Sequence, residues 1–284
     1  MQKIRRAKLL LLEKVSPKSA AKSGVELWFT PPRYQPATTE RLLLEAASKK
    51  SVSFGSNGGH YILYRWGRGP IVLIVHGWGG SAAQMTPLTK PLVAAGYQVV
   101  AFDALAHGAS SGQQTDVLEM AAIVKDLALK LNSIHAIIGH SLGATAAVLA
   151  IKEGVKTQKL IVCSAAASMD YYARQFSHAL NISRQTMNRI ILSINHRMKR
   201  HIGDLSLIHL VPTLNLPALI LHDKQDEVVQ SGEALALSQC WPGSRLVQTT
   251  GLGHLGILRD AATITKMINY IGKPEISAEN NDSF

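Results

Sequence analysis

A chain of 284 residues, 46% of them hydrophobic, can bury one large core and still carry an insertion. It has no run near the ~18 apolar residues of a membrane-spanning helix, and its longest N-terminal apolar run, residues 9–12, falls short of the ~7 to 15 residues of a signal-peptide core, so an intracellular protein is expected. The net charge of +11 is uneven: residues 1–50 hold +7, residues 167–215 hold +4 and the remainder balances, so the excess sits in two appendages.

Residues 1–50 are expected to form a basic, helical N-terminal extension. Ile4, Ala7, Leu10, Leu11 and Val15 recur near helical spacing among Lys3, Arg5, Arg6, Lys8 and Lys14. Two readings compete: the helix packs on the core with its basic face solvated, or it makes peripheral contact with an anionic membrane. Pro31-Pro32 breaks the segment, and a short helix is predicted over residues 39–47. A hairpin then joins residues 51–54 and 60–66. Strands are predicted at 70–75, 98–102, 134–139, 159–165, 217–222 and 245–249. Helices between them are predicted at 83–95, 116–131, 144–153, 230–239 and 255–271. This alternation argues for a parallel sheet. Residues 51–166 and 213–274 make the core, and 275–284 a polar tail.

Residues 167–212 form a predicted helical cap, with helices at 170–178 and 183–201 joined near Asn181. Met187, Ile190, Ile191, Ile194 and Met198 share a stripe, which either lids an acyl pocket or packs on the core. Arg174, Arg184, Arg189, Arg197, Lys199 and Arg200 surround it, either steering an anionic substrate or simply solvated. Low aromatic content and the lack of any helix-turn-helix or zinc finger argue against nucleic acid as a partner. Cys163, in a predicted strand, and Cys240 form no C-x-x-C pair or metal cluster; neither disulfide, metal nor cofactor is implied.

The chemistry concentrates in the predicted loops. Gly139-His140-Ser141-Leu142-Gly143 is a G-x-S-x-G pentapeptide between an apolar strand and a helix. A serine needs to be held out and given a base to act as a nucleophile. A sharp strand-to-helix turn holds it out, and its crowding demands near side-chain-free positions at Gly139 and Gly143. The helix start also aims free N–H groups at developing negative charge.

His254, flanked by Gly253 and followed by Leu255-Gly256, can present its imidazole as general base. The orienting acid is Asp223, Asp226 or Glu227. Asp226 is favoured because the loop must reach across to the histidine, whereas Asp223 lies too close to the strand end. The strand at 70–75 runs into His76-Gly77-Trp78-Gly79-Gly80, whose glycines let backbone approach a substrate oxygen. The N–H groups of Trp78 and Leu142 are assigned as oxyanion donors. His76 is expected to brace this loop, His140 to pack in the turn and His222 to lie at a strand end. Asp103 precedes the nucleophile and is read as a loop-organising carboxylate.

Taken in order, His76-Gly77-Trp78-Gly79-Gly80, Asp103 with His107-Gly108 and Ser110, the Ser141 pentapeptide, and Asp226 with His254 resemble the α/β-hydrolase superfamily over about residues 51–272. The resemblance implies an eight-stranded, mostly parallel sheet with helices on both faces, and a cap after the strand that follows the nucleophile helix. It carries over Ser141 as nucleophile, Asp226 as acid and His254 as base. Serine at the nucleophile position sets aside the aspartate-using dehalogenases and epoxide hydrolases. A serine hydrolase for carboxylic esters or thioesters is the expectation. A cofactor-free perhydrolase or carbon–carbon hydrolase would use the same triad, and a ligand-binding protein could retain it without turnover.

Overall fold

The computed structural model describes residues 2–55, 58–131 and 133–272. Its elements run α1 (Gln2–Val15), α2 (Pro17–Trp28), α3 (Thr38–Glu45), β1 (Ser48–Phe54), β2 (Gly59–Trp66), β3 (Ile71–Val75), α4 (Thr89–Ala94), β4 (Gln98–Asp103), α5 (Val117–Lys130), β5 (Ile134–His140) and α6 (Leu142–Lys152). There follow β6 (Thr157–Cys163), α7 (Met169–Leu180), α8 (Arg184–Met198), α9 (Leu207–Leu210), β7 (Ala218–Asp223), α10 (Ser231–Cys240), β8 (Arg245–Thr249), α11 (Gly253–Gly256) and α12 (Ala261–Ile271).

One eight-stranded sheet has the order β1-β2-β4-β3-β5-β6-β7-β8. The hairpin strands pair antiparallel with each other and β2 pairs antiparallel with β4; every other neighbouring pair is parallel. Side chains alternate across the sheet. Leu73, Val75, Val100, Phe102, Ile137, Leu160 and Val162 join the core on one face, with residues of α5, α6, α7 and α8. Val72, Ile74, Val99, Ala101, Ile138, Ile161 and Leu221 join the core on the other, with Leu92 of α4 and Met267 of α12. A strand buried on both faces reads as an unbroken apolar run, which is why Ile71–Val75 stood out in the sequence. The alanine-rich α6 is buried from Leu142 to Ala150 because small side chains let it lie close to the strands.

Several predicted helices take a different form. The predicted helix at 83–95 is a 3-10 turn over Ala82–Leu88 followed by α4, and Pro87 supplies no N–H for a continuous α-helix. The predicted helix at 255–271 is two pieces, because Asp260 caps a new start by accepting from Thr263 N–H at 2.8 Å. The N-terminal extension contains a helix the periodicity did not reveal, α2, opened by Ser16 as cap and Pro17 in its first turn.

The insertion between β6 and β7 holds α7 and α8, capped by Ser168 and Ser183 and separated by Asn181 in the left-handed region. Its apolar stripe turns to packing, as the plainer of the two readings expected. Ile190 and Ile194 are fully buried, and Ile190 sits against Gly24 of α2. Arg197 is likewise committed: its guanidinium lies 3.9 Å from the Phe29 ring centroid and donates to Gln114 Oε1 at 2.9 Å. Glu13 of α1 accepts from the Ser183 N–H at 2.9 Å, tying α1 to the start of α8. Among the described residues no helix is long and apolar enough to cross a membrane. The predicted polar tail at 275–284 lies outside the described residues.

Candidate active site

The C-terminal ends of the parallel strands bring the predicted residues to one edge of the sheet, where open α/β sheets place their ligands. β5 delivers Ser141, β3 the 76–80 loop, β4 the Asp103 loop, β7 the acid loop and β8 His254.

Ser141 stands between β5 and α6 with φ 52° and ψ −126°, a backbone that non-glycine residues rarely adopt. Its N–H donates to Cys163 O at 2.8 Å, extending the β5–β6 pairing through the turn. The two flanking glycines are required by close packing. A Cβ on Gly139 would lie 2.5 Å from Ala144 Cα, and one on Gly143 would lie 2.3 Å from His76 O. Gly77 also abuts the nucleophile, since a Cβ there would come within 2.9 Å of Ser141 Cβ. Trp78 and Leu142, the assigned oxyanion donors, therefore flank Ser141 from the β3 loop and the α6 start.

Asp226 has two differently engaged oxygens. Oδ1 accepts from the N–H groups of Val228 and Val229 at 2.8 and 2.9 Å, and Oδ2 meets His254 Nδ1 at 2.8 Å. Burial pushes this carboxyl up, but the bonds from His254 and the two N–H groups outweigh it, and its pKa lies below the usual carboxylate range. Asp223 is spent elsewhere: it accepts from Gln225 N–H, Thr249 Oγ1 and Leu252 N–H at 2.9, 2.7 and 3.1 Å, so it organises the loops that present Asp226 and His254. Glu227 is exposed. Of the three carboxylates left open by the sequence, Asp226 is the one against the histidine.

The remaining histidines are braces. His140 Nε2 donates to the His254 carbonyl at 3.0 Å, and the two rings are 4.6 Å apart, which ties the residue before the nucleophile to the candidate base. His76 Nδ1 donates to Gly77 O at 2.8 Å while its Nε2 accepts from Ala104 N–H at 3.0 Å. His107 Nδ1 donates to Leu105 O at 2.9 Å while its Nε2 accepts from Gly79 N–H at 3.0 Å. Both pairs need a neutral ring. Burial holds His76 down to about 4 and, with help from neighbouring histidines, His107 and His140 to about 3. His222 is buried at the end of β7 and donates to Val229 O at 2.7 Å. Asp103 accepts from Ala82 N–H and Ala109 N–H at 2.8 and 2.9 Å and from Tyr64 OH at 3.1 Å, joining the two loops around the site; burial raises its pKa despite these bonds.

Two tyrosines of the insertion were not anticipated. The Tyr172 hydroxyl accepts from Ala166 N–H at 3.3 Å and lies near enough to Ser141 for the serine to lower its pKa against the effect of burial. Burial raises its phenol to about 12, so it stays protonated at neutral pH. Tyr171 donates to Val228 O and accepts from Gln230 N–H, each at 3.0 Å, pinning α7 to the acid loop. Glu233 of α10 also accepts from the N–H groups of Ala167 and Ser168, at 2.9 and 3.3 Å. A Tyr-Tyr pair early in an insertion helix carries no local signal of such a role. Among the described residues no group of His, Cys, Asp and Glu is arranged to hold a metal.

The family model described as serine aminopeptidase, S33, matches residues 69–209, which include the 76–80 loop and Ser141 and end before Asp226 and His254. No curated protein matches the chain. A putative lipase from Acinetobacter baumannii AYE is 19% identical, with a TM-score of 0.64 over 84% of this chain and 97% of that one. A membrane phospholipase A described as a bacterial virulence factor is 18% identical, with a TM-score of 0.63 over 95% and 98%. A thioesterase domain from the curacin biosynthetic pathway is 19% identical, with a TM-score of 0.59 over 80% and 99%. At these identities the solved structures speak to the fold, and they agree with the strand order: the chain has the α/β-hydrolase fold, and the family match falls on residues 69–209 of it.

Proposed function

We propose that this chain is a serine hydrolase that cleaves carboxylic esters or thioesters through an acyl-enzyme. The observation that carries the reading is the 2.8 Å contact between His254 Nδ1 and Asp226 Oδ2, beside a serine held at φ 52° on a strand-to-helix turn. In this mechanism Asp226 fixes the tautomer with the proton on Nδ1, which leaves Nε2 free to take the Ser141 proton as Oγ attacks the carbonyl carbon. The negative oxygen is received by the N–H groups of Trp78 and Leu142. The imidazolium returns its proton to the departing alkoxide or thiolate. Water then attacks the acyl-enzyme with His254 as base, and Ser141 leaves with that proton. The lipase, phospholipase and thioesterase likenesses support an acyl substrate without choosing its leaving group.

The test is labelling of the wild-type chain and Ser141→Ala with a fluorophosphonate, followed by ester and thioester panels of increasing acyl length. Labelling and turnover in the wild type alone are expected, with a loss of several orders of magnitude in the variant. Undiminished turnover by purified Ser141→Ala would refute the mechanism.

A further inference from the structure

Arg33 lies between α2 and α3, more than forty residues before the nearest residue of the candidate site. Its guanidinium nonetheless ends at the site's edge. Nη1 donates to the carbonyls of Gly108, Ser110 and His107 at 2.5, 3.2 and 3.5 Å, and Nη2 donates to Ser110 and Gly112 at 3.1 and 2.8 Å. Four carbonyl dipoles of one short loop thus converge on one planar cation. Oxygens turned toward a common point repel one another unless a donor group fills it, and the fixed fork of an arginine suits several acceptors at once. The loop has unusual backbone to match, with positive φ at Ala106, Gly108 and Gly112.

This loop carries His107, and His107 is the acceptor for Gly79 N–H at 3.0 Å. Its ring also meets the Trp78 ring edge-on, with centroids 5.4 Å apart. From the other side Gly79 is pressed by Pro32, the residue before Arg33: a Cβ on Gly79 would lie 2.7 Å from Pro32 Cγ. The peptide between Trp78 and Gly79 is therefore held between two groups, one belonging to the N-terminal extension and the other fixed by it.

We propose that Arg33 is a positioning residue for the oxyanion hole: by gathering the carbonyls of residues 107–112 it holds His107 against Gly79 and so sets the direction of the neighbouring Trp78 N–H. The proposal rests on the serine-hydrolase reading. Arg33 touches no reacting atom, and its effect reaches the transition state only through the Trp78–Gly79 peptide, which constrains the adjoining Gly77–Trp78 peptide that carries the Trp78 N–H. Misdirecting one of two backbone donors weakens the bond that strengthens as the carbonyl oxygen gains charge, with little consequence for ground-state binding.

The experiment compares wild type, Arg33→Met and Arg33→Lys, each normalised to active sites titrated with a fluorophosphonate. kcat and KM are measured on a short-chain ester, together with inhibition by a trifluoromethyl ketone, whose serine adduct carries an oxyanion. Arg33→Met is expected to lose about 10- to 100-fold in kcat and a similar factor in ketone affinity, with KM within about twofold. Arg33→Lys, a point charge without the fork, is expected to fall in between. It carries the test alone if the methionine variant does not fold. A kcat loss without weaker ketone binding, or folded variants within about threefold of wild type in both, would overturn the proposal. A wild type that neither labels at Ser141 nor turns over any ester or thioester would remove the serine-hydrolase reading, and this inference with it.

Discussion

Gly24 of α2 and Ile190 of α8 touch so closely that a Cβ on the glycine would lie 2.3 Å from Ile190 Cδ1. The contact joins the N-terminal extension to the insertion between β6 and β7. Gly24→Val is expected to force the two helices apart and to lower stability by about 1–3 kcal/mol through overpacking. Thermal unfolding would report it, and an unchanged midpoint would show that the helices separate freely.

The two aspartates at the end of β7 make separable predictions. Asp226→Asn can keep an oxygen on the Val228 and Val229 N–H groups only by turning its amide toward His254 Nδ1, which favours the wrong tautomer. A fall in kcat of about 10⁴-fold is expected with the fold intact. Asp223→Asn keeps one oxygen and so loses the acceptor either for Gln225 N–H or for Thr249 Oγ1 and Leu252 N–H, and it is expected to act mainly on stability, by about 1–3 kcal/mol. Kinetics and thermal unfolding on both variants would check this, and the reverse order of kinetic damage would move the acid role to Asp223.

Tyr172 reaches the nucleophile from α7 on the β6 side, opposite the 76–80 loop that follows β3. Tyr172→Phe keeps the ring and removes the hydroxyl that lies beside Ser141 and accepts from Ala166 N–H. The expected result is a fall of about tenfold in the rate of fluorophosphonate labelling, since an activated serine depends on being held in its reactive orientation. Labelling at the wild-type rate would assign the tyrosine to packing alone.

Three buried histidines give the fold a pH dependence of known sign. His76, His107 and His140 have folded-state pKa values of about 4, 3 and 3, below the ~6.5 of an unfolded chain. Between these values the unfolded chain binds more protons, so stability falls as pH is lowered. At pH 5 the loss is on the order of 1–2 kcal/mol per histidine. The unfolding temperature should drop steadily from pH 7 to pH 5 and change little between pH 7 and 8 from this source. A flat profile below pH 7 would contradict the neutral-ring hydrogen bonds at His76 and His107.

What could be read in the sequence was what short-range chemistry encodes. Ile71–Val75 and Ile134–His140 are apolar because both sheet faces are covered, and the glycines around Ser141 are there because neighbouring backbone leaves no room for a Cβ. Helix α2 escaped notice because its buried positions are Ala20, Ala21 and Gly24, small residues chosen for close approach, which leave no hydrophobic stripe. Only Ser16-Pro17 marked its start. The break before α12 was marked by Asp260, a capping residue inside an apolar pattern that reads as continuous. Arg33, Tyr171 and Tyr172 could not be placed from sequence, since each acts on a segment distant in the chain and nothing in its own neighbourhood records the partner.

The backbone at Ser141 also limits which nucleophiles this site could exchange. A cysteine has the same unbranched Cβ and would enter the turn with its sulfur close to where Oγ now lies. A threonine would bring a methyl group into a left-handed turn already crowded by Gly77, where branching at Cβ is disfavoured. The conformation that exposes the serine thus leaves the thiol as its natural substitute and closes the site to the other hydroxyl.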